Sequence, residues 1–231
     1  MKQEHGRAFS PSLFFAISII GLALVHLLVA QTNLDRFQFT WQRGLIGILF
    51  CMLCVSGVAA VFYPVKCRGL FQHTPNLPVN TGAFSNGLRI EGHHPSCEKF
   101  SENRITVGGR VFCAACSGLL VGAAFALGAA VVYFFVGLNM VWGGFWMVVL
   151  GEVGMVLGLV QIKVAGFVKV VFNAVFVVGS FVTLAAVDAI GRSLFVDFYV
   201  LGLILFLLWF RISLSEWNNW RTCHECQSCF H

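Results

Sequence analysis

The sequence predicts an all-α fold: a polytopic transmembrane bundle of about six spans, carrying a small zinc-ribbon-like loop that contains a β-hairpin. Three observations predict it. Hydrophobic residues make up 58% of the chain and charged ones only 11%, whereas a soluble domain is about half apolar and about a quarter charged. The apolar residues come in runs of about twenty, long enough to cross a hydrocarbon core of about 30 Å. Nine cysteines are present, most of them outside those runs and several in pairs with two residues between them.

Taken in order, the runs are Ser12–Ala30, Leu45–Val65, Ser117–Leu138, Val141–Gln161, Phe167–Ile190 and Leu194–Leu214. Each reads as a helix, because only a helix satisfies its own backbone in lipid and no barrel-like alternation is present. The first run follows Lys2 and Arg7, and its alternative reading is a signal peptide ending near Ala30. At about eighteen apolar residues it is long for one, and cleavage would leave the topology of the rest unchanged. The chain thus divides into two helices (1–65), a polar loop (66–116), four helices (117–215) and a tail (216–231).

Lysine and arginine set the expected orientation. With the N-terminus in the cytoplasm, twelve basic residues fall inside and only Arg36, Arg43 and Arg192 outside, the bias that the positive-inside rule requires. Trp41, Trp217 and Trp220 suit the interfacial belts. A multi-pass plasma-membrane protein with both termini in the cytoplasm is therefore expected. The loop and tail then share a reducing compartment, where paired cysteines point to metal binding or catalysis before disulfides.

The loop is too short to bury a core of its own and calls for a metal or a cross-link to hold a shape. Its first half, with Pro75, Pro78, Gly82 and Gly87, reads as irregular connection. In its second half His94-Pro-Ser-Cys97 is followed after fifteen residues by Cys113-Ala-Ala-Cys116. Two ligand pairs at that separation match a tetrahedral zinc site, with His93 an alternative to His94. Between them, Arg104–Val107 and Arg110–Phe112 flank Gly108-Gly109, the pattern of a tight hairpin. The competing reading is a set of reduced, unligated thiols, which leaves the paired spacing unexplained. In the tail, Cys223, His224, Cys226, Cys229 and His231 supply a Cys3His set, either as a second centre or as additional ligands for the first. The blander reading is an exposed, unstructured tail.

Inside the runs, Glu152 stands near mid-span, where an ionised carboxylate costs on the order of 3 kcal/mol. It calls for a proton, a partner or an internal cavity, and His26, Gln161 and Asn173 are the polar residues available. A proton or substrate site and a neutral Glu bonded between helices are the two readings. Gly118/Gly122/Ala126 and Gly154/Gly158 are small residues at four-residue spacing, a close-packing signal. Cys51 and Cys54 read as apolar packing.

The stretch Gly92-His-His-Pro-Ser-Cys97, then Gly108-Gly109, then Phe112-Cys-Ala-Ala-Cys116-Ser-Gly resembles a family of small prokaryotic membrane proteins designated a domain of unknown function. Their hallmark is a His/Cys element followed by Cys-Ala-x-Cys-Thr-Gly entering a membrane helix, and the likeness covers roughly residues 90–180. Ser117 replaces the usual Thr. The family's Asp-Gly falls where this chain has Leu157-Gly158, so no role for that Asp carries over. The resemblance implies a fold and a prokaryotic origin, and no activity.

Two functions follow. One is a non-catalytic bundle whose zinc-organised loop docks a cytoplasmic partner or senses metal, since closed four-ligand sites are usually structural. Basic loop residues would add about 1 kcal/mol each at an anionic lipid surface. The other is a membrane thiol oxidoreductase, because Cys113-x-x-Cys116 precedes a helix whose N-terminus favours a thiolate. Helical quinone-linked thiol oxidases resemble this arrangement, although they work at the oxidising face. A transporter or metal-assisted hydrolase using Glu152 is a third, less supported reading. There is no phosphate-binding Gly-rich loop, no His-Glu-x-x-His and no nucleophile elbow, and no nucleic-acid partner is expected.

Overall fold

A computed structural model describes residues 10–31, 40–62, 104–107, 110–137 and 144–225. Helices α1 (Pro11–Ala30) and α2 (Thr40–Phe62) come first, then strands β1 (Arg104–Val107) and β2 (Arg110–Cys113). Helix α3 (Ala114–Ala130) follows and widens into a π-helical turn over Val131–Val136. After it come α4 (Phe145–Val160), with a 3-10 turn at Gln161–Lys163, then α5 (Gly166–Gly191) and α6 (Leu194–Glu225). Six of these helices are long and apolar enough to cross a membrane. Large apolar side chains such as Phe125, Trp146, Phe167 and Phe195 point outward, as a lipid-facing surface requires. This is the build of a multi-pass membrane protein.

The boundaries follow local chemistry. Pro11 opens α1 in the first turn, where its missing N–H costs nothing. The widened end of α3 stops at Gly137, which takes a left-handed φ of 81°, the backbone that glycine tolerates best. Arg192 closes α5 at a left-handed φ of 42°, and Ser193 then accepts the first backbone bonds of α6. A connection that short forces α5 and α6 to run antiparallel. No Gly or Pro follows Gly202, so nothing ends α6 at the expected Leu214, and it continues to Glu225. The second span begins five residues before Leu45, which brings Trp41 and Arg43 into the helix.

Helix α5 is the spine, because glycines let its neighbours come close. On one side, a Cβ at Gly122 of α3 would sit 2.7–2.8 Å from the Ala174 backbone, and one at Gly118 would collide with the Val170 carbonyl. On the other, a Cβ at Gly179 of α5 would lie 2.6 Å from the Gly151 carbonyl of α4, and Gly158 abuts Phe176. In lipid, such van der Waals contact takes the place of the hydrophobic drive that assembles soluble bundles. Phe14 packs with Phe206, Trp209 and Phe210, while Gly21 meets Leu203, so α1 runs antiparallel to α6. The alternation leaves the bundle with two ends. One carries Cys113 and the starts of α3 and α5; the other carries the starts of α2, α4 and α6.

Candidate thiol and metal site

The strand pair β1–β2 is antiparallel, with Arg104 opposite Cys113 and Val107 opposite Arg110. Residues 108–109 between the strands lie outside the described residues. Phe112 and Ile105, paired across the ladder, are both half-buried, and they bring the chain from β2 straight into α3. Cys113 therefore occupies the N-cap of α3 with extended backbone (φ −71°, ψ 120°), and Cys116 lies in the first turn.

The first amides of a helix have no partner within it. Here the geometry falls short of a full capping bond, but the surroundings still favour charge on sulfur. The Cys116 thiol turned toward it draws the Cys113 thiol down to about 6, against the opposing effect of burial. The amides of Cys116 and Ala115 and the positive charge of Lys169 act in the same direction. All four described cysteines outside the C-terminal segment, Cys51, Cys54, Cys113 and Cys116, are unbridged.

Below the thiols lies a polar layer. Arg211 of α6 is 4% exposed, its guanidinium lies over the Phe176 ring at 5.3 Å, and both thiols are within its electrostatic reach. Its Nη2 donates to Gln161 Oε1 at 3.4 Å. With the Gln161 amide turned to satisfy both neighbours, the oxygen accepts from Arg211 Nε at 2.6 Å and the nitrogen faces Asn173. Asn173 in turn donates to the Lys169 carbonyl at 2.6 Å. A guanidinium held this far from water needs such acceptors, and an anionic sulfur centre above it is a further one.

Cys113 and Cys116 are thus brought together. Cys223 and His224 lie on the helical continuation of α6. They follow Arg211 by twelve residues or more, about 18 Å of helix, which sets them apart from the first pair. His93, His94, Cys97, Cys226, Cys229 and His231 lie outside the described residues. Among the described residues no group of three or more His, Cys, Asp or Glu side chains could hold a metal.

The intramembrane polar residues sort into separate places. Gln161 and Asn173 serve Arg211, whereas Glu152 pairs with His26, Nε2 to Oε2, at 2.8 Å. At the end away from Cys113, Asp188 accepts a 2.8 Å bond from the Tyr133 hydroxyl. Arg43 Nε stands 3.5 Å from the same carboxylate, with its guanidinium 4.2 Å above the Tyr133 ring. The buried Arg211 was open to sequence reasoning, since it interrupts an apolar run, but counting it as an interfacial charge concealed its role.

Neither a protein-family model, nor a curated protein, nor a solved structure matches this chain.

Proposed function

We propose that this chain is an integral membrane protein in which Cys113 and Cys116 supply half of a tetrahedral zinc site. Cys97 and either His93 or His94 complete it. The site stands on the cytoplasmic side and holds the loop over the mouth of the bundle, where it docks a partner or senses metal. The proposal includes kinship with the prokaryotic membrane family that shares the Cys/His hallmark. What carries it is the placement of the two thiols: side by side at a strand–helix junction, one already favouring the thiolate, with buried Arg211 beneath. Zinc ligands must be deprotonated, and three thiolates with one imidazole leave the centre a net negative charge that a buried guanidinium offsets. Mixed sulfur and nitrogen ligands favour zinc over harder cations. Because Cys223 and His224 lie about 18 Å of helix beyond Arg211, the tail set Cys223, His224, Cys226, Cys229 and His231 would form a second centre in place of a shared one.

A thiol oxidoreductase is the second reading, favoured by the lowered thiol of Cys113 at the N-cap beside a second thiol, since a dithiol so placed is also how exchange begins. Metal analysis of the purified full chain separates the two. The zinc reading expects at least one tightly held zinc per chain, lost in Cys113→Ser. A metal-free, fully folded protein whose Cys113 reacts readily near neutral pH would sink it in favour of the redox reading.

A further inference from the structure

Glu152 and His26 come from helices far apart in sequence and meet deep enough to need explaining. Glu152 is 9% exposed and stands seven residues into α4, about 10 Å along its axis. His26 stands four residues before the end of α1, about 6 Å from the helix terminus. Its imidazole is 26% exposed. The imidazole is therefore the outer member of the pair and the carboxyl the inner one. Phe145 packs against the imidazole at 4.7 Å between ring centres and closes one side of it.

The contact satisfies only half of each group. His26 Nδ1 and Glu152 Oε1 are both buried, and among the described residues neither has a hydrogen-bond partner. A pair kept purely to tie α1 to α4 would pair its remaining atoms as well, because a buried polar atom without a partner costs its full desolvation penalty. Ionisable side chains within a membrane are expensive and mark proton or ion pathways. The pair thus forms a short chain, with the more exposed imidazole outermost and the more buried carboxyl innermost. That is the order a proton passing inward would need.

Among the described residues, none supplies a fixed counter-ion to the pair, so it can change charge. Besides burial, the neighbour that acts on Glu152 is its own partner His26. From α6, Tyr199 is within electrostatic reach of Glu152, but its hydroxyl is already committed to the Gly21 carbonyl at 2.9 Å. From α5, the side chain that meets the neighbouring Gly151 is Thr183, which does not titrate. Arg43 and Asp188 form their own network around Tyr133, and Asp197 is buried on the Asp188 side.

We propose that His26 and Glu152 form an intramembrane proton-binding site, loaded from the aqueous phase at the end of the bundle away from Cys113. In the unloaded state the pair is neutral imidazole and carboxylate. Loading takes one proton from hydronium, leaves water behind, and yields a pair of zero net charge with the proton shared between Nε2 and Oε2. No electron moves and no other bond changes. The site is independent of the zinc reading, since it shares no residue with it.

Infrared difference spectroscopy of the full chain in lipid nanodiscs, stepped between pH 4 and pH 9, tests this. A carboxyl stretch should appear and disappear reversibly with pH, vanish in Glu152→Gln, and shift in frequency in His26→Asn. Glu152→Asp, which keeps the acid and shortens its reach, should retain a pH-dependent band at a displaced frequency. It covers the case in which Glu152→Gln does not fold. A carboxyl band that is constant over the whole range, or one that responds to pH identically with and without His26, would overturn the proposal and leave the contact as a helix–helix tether.

Discussion

Cys113 shows how much a single position can depend on its neighbours. Its thiol is held to about 6 first by the Cys116 thiol, and then by two amides and Lys169, while burial acts in the opposite direction. In chelated protein, alkylation of Cys113 should therefore be half-maximal well below the ordinary thiol range. Removing a cation that lowers a thiol raises it, so Lys169→Met moves the midpoint up. Cys116→Ser, which removes the strongest influence, moves it further. Rates measured against pH with a neutral maleimide read both shifts, and a midpoint near the ordinary thiol value of about 8.5 in the parent chain would contradict this picture. The paired spacing of these cysteines was legible in the sequence, because ligand spacing is local. The partner of Glu152 was only one of three named possibilities, since which of His26, Gln161 and Asn173 it meets depends on helix rotation, and composition does not encode that. Arg211 was legible as a charge and illegible as a buried one for the same reason.

At the scale of elements, the close approaches to α5 carry the assembly. A methyl added at Gly118 would meet the Val170 carbonyl, whereas one at Gly128 of the same helix would meet nothing within 4 Å. Gly118→Ala should lower unfolding stability by about 1–3 kcal/mol, the usual cost of overpacking, while Gly128→Ala should not lower it. Denaturant titration in detergent micelles distinguishes them, and equal effects would mean that α3 and α5 do not touch as described. All six spans were legible from apolar run length, and the small-residue spacing marked the right faces of α3 and α4. Their ends were less so. The π-helical turn that carries Tyr133 to Asp188 has no run-length signature. The continuation of α6 past Leu214 rests on the absence of a stop signal in a polar sequence.

Across the whole molecule, the polar chemistry divides between the two ends of an apolar bundle. Thiols, Arg211, Gln161 and Asn173 gather at one end; Arg43, Tyr133, Asp188 and Asp197 gather at the other, with His26 and Glu152 in the same half. The proposal puts the thiol end in the cytoplasm, as the distribution of basic residues expects, where reducing conditions would suit a thiolate metal centre. The central claim is that sulfur and imidazole from the loop and from the α3 N-terminus grip a zinc ion. X-ray absorption at the zinc edge of the purified full chain tests it most directly. A mixed shell of sulfur at about 2.3 Å and nitrogen at about 2.0 Å is expected, with sulfur lost in Cys113→Ser. A folded protein with no zinc edge, or a shell of oxygen and nitrogen without sulfur, would contradict it.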